Sequence, residues 1–291
     1  MNEHRGHNNS TFRMEPSQTI NNVRLLVLDI DGTIGDRSNR IRDSVARAIQ
    51  SAQNRGIAIA IATGRSYECS LHAYDFIGSD LPLICYEGAF IREPNTGVVH
   101  RHWPLQARVA AQLLEHIEIL SLSNRLSVLF HIQDNLYVSN LNYASMKYVE
   151  VSGAEPIVVS DMRQLLHQPI TKVVVVSDDA HDIARLSRQL KNSHSRIQVR
   201  HDKSITLLEA FNPAVNKRLA VSYLAEQIMS LRPENVMAVG DDFNDVGMLR
   251  YAGIGVAMEQ APLAVRTFAD WVTTTMEKDG VARAIERWIL R

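Results

Sequence analysis

Short unbroken apolar runs, each stopping on an acidic, hydroxyl or glycine residue, constrain this chain more than any other feature. Leu25-Leu26-Val27-Leu28 stops at Asp29, Ile57 to Ala62 stops at Thr63-Gly64-Arg65, and Val236 to Val239 stops at Gly240-Asp241. Runs this short, with no polar alternation, suit strands buried on both faces, as in a parallel sheet covered by helices. Between the first two runs, Ile41, Val45, Ala48 and Ile49 recur at helical spacing. That spacing predicts a helix over 41–54, capped by Ser38 or Asn39 and closed by Gly56. Strand, helix and strand in so short a segment make a βαβ unit, which crosses over right-handed. A helix around 67–76 and a third run over 81–85 extend it. The end of the chain repeats the rhythm, with helices over 216–230 and 243–251, strands over 254–258 and 271–273, and a last helix from Gly280. The fold class expected is α/β, a doubly wound parallel sheet.

The middle breaks the rhythm. Strands over 127–132, 136–139, 173–176 and 205–208, with helices over 105–120 and 180–191, predict an α+β insertion with its own small sheet. Asn212-Pro213 marks the way out, because the residue before proline is pushed out of helix. The expected organisation is a polar, disordered tail over 1–20, a core formed by 21–87 and 212–291, and an inserted domain over 88–211. The tail has no apolar segment of the secretory kind.

Composition removes several function classes. Lys plus Arg is 31 and Asp plus Glu is 32, a net charge of −1, so nothing favours nucleic acid as a partner. No apolar run approaches the ~20 residues that span a bilayer. Cys69 and Cys85 are the chain's 2 cysteines, too few for a disulfide framework or, alone, a zinc site. A cytoplasmic protein is expected.

The polar stops converge. Asp29 and Asp31 follow the first strand, Thr63 the second, and Asp241 and Asp242 the strand at 236–239. In an open parallel sheet, ligands bind outside the carboxyl ends of the strands. Crowded carboxylates repel one another and call for a cation, and an oxygen-only donor set favours Mg²⁺ beside a phosphate. Gly32 permits a tight turn after Asp31, and Thr63, Gly64 and Lys217 offer a hydroxyl, an amide and an ammonium to phosphate oxygens. An aspartate set against phosphorus can act as a nucleophile, and a second can exchange the proton with the leaving group.

Asp29-Ile30-Asp31-Gly32-Thr33, Ala62-Thr63-Gly64-Arg65, Lys217 and Gly240-Asp241-Asp242-Phe243-Asn244-Asp245 resemble the four motifs of the haloacid-dehalogenase superfamily. Glu87-Gly88-Ala89, the segment 252–258, Ala269 to Thr273 and Asp279 to Ala282 resemble its Cof-like phosphatases of subclass IIB. The resemblance implies a Rossmannoid core and a cap domain over the insertion; 154 residues separate Thr63 from Lys217, against 34 from Asp29 to Thr63. It implies Asp29 as nucleophile, Asp31 as general acid and base, and Thr63 and Lys217 completing the catalytic set. Gly32, Gly64, Arg65 and Asn244 would contact phosphate or substrate. Mg²⁺ would be held by Asp29, the Asp31 carbonyl and Asp241, with Asp245 behind them. The activity implied is hydrolysis of small phosphate esters (sugar, pyridoxal or flavin-pathway phosphates) by a monomer or homodimer through an aspartyl phosphate. Alternatives are a sucrose-phosphate or mannosyl-phosphate phosphatase, a phosphomutase, or a non-catalytic sensor of phosphorylated ligands.

The chain departs from the family pattern where Glu87 replaces Asn, Asn216 replaces Ser, Arg218 replaces Gly, and Glu259-Gln260 replaces Gly-Asn. Glu87 is expected to be paired, by Arg65, Arg218 or a substrate hydroxyl, and to select the leaving group. His4, His7, His100, His102 and the basic group Arg196, Arg200, His201 and Lys203 are read as surface residues, and Trp103 and Tyr137 as packing residues.

Overall fold

Alternate residues of each apolar run point to opposite sides of one sheet, and each side is covered by helices. That is why the runs lack polar alternation. The computed structural model describes residues 22–36, 40–190, 196–202 and 205–291, the segment 196–202 by its backbone alone. The expected tail, Ser38, Asn39, Lys203 and the side chains of the other basic residues near 200 lie outside the described residues.

In chain order the elements begin with β1 (Leu25–Leu28), α1 (Asp43–Gln53), β2 (Ala58–Ile61), α2 (Tyr67–Ile77) and β3 (Leu83–Cys85). Then come β4 (Phe90–Arg92), β5 (Val99–His102), α3 (Ala107–Ile119), β6 (Ser127–Ile132), β7 (Asn135–Val138) and α4 (Tyr143–Ser152). They are followed by β8 (Pro156–Val158), β9 (Ile170–Ser177), α5 (Ala180–Leu190), β10 (Arg196–Asp202) and β11 (Ile205–Phe211). The chain closes with α6 (Lys217–Ser222), β12 (Val236–Gly240), α7 (Val246–Tyr251), β13 (Ile254–Ala257), α8 (Leu263–Arg266), β14 (Trp271–Val272) and α9 (Gly280–Trp288).

The core sheet is parallel, in the order β14-β13-β12-β1-β2. Leu26, Leu28, Ile61 and Val239 pack with α1, α2 and α9 on one side. Leu25, Val27, Ala60 and Ala238 pack with α6 and α7 on the other. From β1 the chain proceeds outward through β2, and from β12 it proceeds the opposite way through β13 and β14. The topological switch point therefore lies between β1 and β12, where ligands bind in such sheets.

The insertion carries a second sheet, β10-β11-β9-β6-β7-β8. One side is covered by α3 and α5 and the other by α4. A small sheet, β3-β4-β5, lies between the two larger ones. Its β3 touches the core sheet through a single bridge, Ala62 to Ile84, and pairs with β4 antiparallel. The third apolar run thus extends the parallel unit by one bridge only and turns at once into the hairpin. Ion pairing of Arg92 on β4 with Asp134 in the β6–β7 turn, 2.8 Å, ties that hairpin to the insertion.

Three helix expectations need correction. Helix α1 begins at Asp43, with Arg42 at its N-cap and no side-chain cap. The helix expected over 216–230 changes after Ser222 to a π-helical turn over Tyr223–Ile228. The helix expected from Phe243 starts only at Val246, because the Asp245 carboxylate accepts the amides of Asp241 and Asp242 and holds 241–245 as a turn. No described helix is long and apolar enough to cross a membrane.

Candidate active site

Asp29 follows β1 and Asp241 follows β12, on adjacent strands of the sheet. Lys217 opens α6, whose first turn is capped by the Asn216 side chain accepting from the Leu219 amide at 2.9 Å. The helix thereby points the Lys217 ammonium into the site, where it is 1% exposed. Its Nζ donates to Asp29 Oδ1 at 2.6 Å and to Asp245 Oδ1 at 2.7 Å. The other Asp245 oxygen accepts the backbone amides of Asp241 and Asp242 at 2.9 and 3.1 Å. One carboxylate oxygen from each of Asp29, Asp241 and Asp245 lies within 4.8 Å of the other two.

Glycine is required beside this cluster. Gly32 has φ +79°, and a Cβ there would lie 2.1 Å from Asp241 Oδ2. Asp241 Oδ1 is buried with no hydrogen-bond partner. An orphaned, buried carboxylate oxygen facing two other carboxylates fits a hard divalent cation better than any neutral ligand.

The electrostatics agree. Burial, together with Asp245 and Asp241, raises Asp29 well above the ordinary carboxylate range, and Lys217 opposes the rise. Burial, with Asp245 and Asp242, pushes Asp241 up to about 7. Burial would lower Lys217, but Asp245 and Asp29 outweigh it and hold the ammonium charged. A carboxyl whose folded value is raised binds protons more tightly folded than unfolded. Stability is then lost as pH rises from its ordinary 3.8 through about 7. A divalent cation replaces those protons and removes the loss. The thermal midpoint with Mg²⁺ minus that with EDTA is therefore expected to widen from pH 5.5 to pH 8. A gap of constant size would show that the carboxylates are not competing for protons.

Asp31 is not part of the acidic cluster. Its carboxylate is held by Arg65 through two bonds, Nε to Oδ2 at 2.9 Å and Nη2 to Oδ1 at 2.7 Å. Thr63 is fully buried, and its Oγ1 accepts from the Arg65 amide at 3.2 Å. Asn244 donates through Nδ2 to both oxygens of Glu87 at 3.0 Å. The expectation that Arg65 or Arg218 pairs with Glu87 is thus corrected. Arg65 is engaged with Asp31, and Arg218 is exposed on α6.

Gln260 was not anticipated as a site residue. Its side-chain amide donates to the Gly32 carbonyl, bracing the turn that carries Asp31. Its position in a segment that departs from the family pattern was the available signal. Elsewhere, His102 bonds Thr171 at 3.0 Å, and Trp103 packs against both sides of the core.

A family model described as haloacid dehalogenase-like hydrolase matches residues 26–285. The chain belongs to this family. Among haloacid dehalogenase-like relatives, the 5-amino-6-(5-phospho-D-ribitylamino)uracil phosphatase YitU of Bacillus subtilis is 28% identical over 275 residues, covering 91% of this chain and 97% of the relative. The pyridoxal phosphate phosphatase YbhA of Escherichia coli is 27% identical over 285 residues, covering 90% and 97%. A haloacid dehalogenase-like hydrolase from Bacteroides thetaiotaomicron has the same fold, with a TM-score of 0.80, 26% identity and coverage of 91% and 99%. The chain is a haloacid dehalogenase-like phosphatase of the Cof-like kind, a phosphoric monoester hydrolase.

Proposed function

We propose that this enzyme is a Mg²⁺-dependent phosphatase of small metabolites, working through an aspartyl phosphate on Asp29. The observation that carries the reading is the buried Asp29 carboxylate, tied through Oδ1 to Lys217 and set against Asp241 and Asp245 at the switch point. Mg²⁺, held by Asp29, Asp241 and the Asp31 carbonyl with Asp245 behind them, would neutralise charge on the phosphoryl oxygens.

The chain's own residues do the rest. Lys217 occupies Asp29 Oδ1, which leaves Oδ2 to attack phosphorus. The bond from phosphorus to the ester oxygen breaks, and Asp31 gives its proton to the departing alcohol. Asp31, now a carboxylate, takes a proton from a water that attacks the same phosphorus. The bond to Asp29 breaks and inorganic phosphate leaves. Thr63 and the Gly64 amide supply donors to the transferring group. Arg65 steers Asp31 through one N–H to each oxygen, which leaves each oxygen a second lone pair for the proton. We further propose that 88–211 closes over the site as a cap, on 21–87 and 212–291 as the core.

The substrate class proposed is a phosphate ester of a sugar, of pyridoxal or of a flavin-pathway intermediate, the last two supported by the substrates for which relatives are named. Phosphate release from about a hundred phosphometabolites, with and without EDTA, tests the proposal. The expected result is Mg²⁺-dependent release from a few of them. Binding without release from any would favour a ligand sensor, and activity only with a sugar bisphosphate present would favour a mutase.

A further inference from the structure

Glu87 is 3% exposed, and its carboxylate lies among the residues assigned to the phosphate. A Cβ on Gly64 would fall 2.3 Å from Glu87 Oε1, and Asn244 donates to both Glu87 oxygens at 3.0 Å. The charge also reaches Lys217, where it helps to hold the ammonium. The backbone beneath it is fixed. Tyr86, Glu87 and Gly88 have φ of 50°, 61° and 97°, and the Glu87 amide donates to the Thr63 carbonyl at 3.0 Å. A Cβ on Gly88 would strike the Asn216 carbonyl at 2.7 Å. The side chain can rotate, but the loop cannot retreat.

The resemblance assigns Asn244 to the phosphate, so a phosphoryl group and the Glu87 carboxylate, both anions, would compete for its side-chain amide. When the phosphoryl group enters, the carboxylate must turn aside, and a displaced buried carboxylate needs a new donor. Arg65 is engaged by Asp31, and Lys217 by Asp29 and Asp245. A donor is then available from the substrate. The Asn244 carbonyl oxygen, buried with no partner, is a second acceptor beside it.

We propose that Glu87 is a specificity-determining residue: it yields Asn244 to the phosphoryl group and accepts a hydrogen bond from the leaving group. The enzyme then favours esters whose alcohol carries a hydroxyl or N–H near the phosphate. This rests on the phosphatase reading above.

The test uses Glu87→Gln, which keeps the shape, and Glu87→Asn, which suits the left-handed backbone. Inorganic phosphate affinity is measured by calorimetry. kcat/KM is measured for p-nitrophenyl phosphate and for hydroxylated sugar phosphates. In both variants phosphate is expected to bind roughly tenfold tighter or more, since like charges at contact range oppose it. Preference for the hydroxylated esters over the aryl ester should fall by about the same factor. Unchanged phosphate affinity in both variants would overturn the competition, and an equal change in kcat/KM for every ester would overturn the selectivity. If wild type released no phosphate from any ester, the phosphatase reading would fail, and the calorimetry would still decide whether Glu87 competes. Tighter binding in Glu87→Asn alone would trace to backbone relief and likewise overturn the proposal.

Discussion

Asp29→Asn is expected to lower phosphate release by on the order of 10⁵-fold, while the protein keeps its fold and its stability at neutral pH. An amide oxygen is a poor nucleophile, and the two carboxylates that cluster with Asp29 have other duties. Asp241 is the carboxylate assigned to the metal, and both Asp245 oxygens are engaged, by Lys217 and by two backbone amides. Stability should hold because the substitution removes a buried charge from a cluster of like charges. Asp31→Asn is the contrasting variant. It keeps the nucleophile but loses proton transfer and the ion pair with Arg65, and the proton-transfer loss alone should be about 10²–10⁴-fold. With an aryl ester, whose leaving group needs no proton, Asp31→Asn should form the phosphoenzyme and then stall. Rapid quench with labelled substrate would trap protein-bound phosphate in Asp31→Asn and none in Asp29→Asn. Comparable rates for Asp29→Asn and wild type would end the covalent route.

The core and its site were legible because two independent patterns coincide in the sequence. The apolar runs mark strands buried on both sides, and the residue after each run marks the sheet edge where ligands bind. Asp29 and Asp241 need only the parallel order of β1 and β12 to meet. Of the hairpin of β4 and β5 only a possible strand around His100 and His102 was legible, since strands of 3 and 4 residues are too short to carry a periodic pattern. Helix α4 was equally silent. Its exposed Tyr143, Met146 and Val151 break the apolar stripe by which a helix is recognised. The partner of Glu87 was missed for an electrostatic reason. Charge suggested arginine, but Arg65 has a better partner in Asp31, with two parallel bonds, so a neutral amide from a distant turn takes its place. The late start of α7 has a similar origin, in a side chain outbidding the helix for backbone amides.

Lys217→Met should be the most damaging single change to the folded state. Lys217 joins Asp29 and Asp245, whose residues are 4% and 0% exposed, and without its ammonium two buried carboxylates face each other unpaired. Breaking a buried ion pair from one side typically destabilises by about 3–5 kcal/mol. Part of that is relieved by protonation, so Asp29, already raised by burial and by Asp245, should rise further. A nucleophile with a raised value is ionised only at higher pH. The acid limb of the pH–rate profile must therefore move to higher pH, and kcat at neutrality must fall. Urea unfolding and the pH–rate profile measure the two effects separately. A double-mutant cycle with Asp245→Asn isolates their cause. The asparagine retains an acceptor for the Asp241 and Asp242 amides and removes the repulsion on Asp29. Lys217→Met with Asp245→Asn should consequently be more stable than Lys217→Met alone, although Asp245→Asn in the wild-type background destabilises. If the second substitution lowered stability equally in both backgrounds, Lys217 would be acting through packing and not through the charge it shares with Asp29 and Asp245.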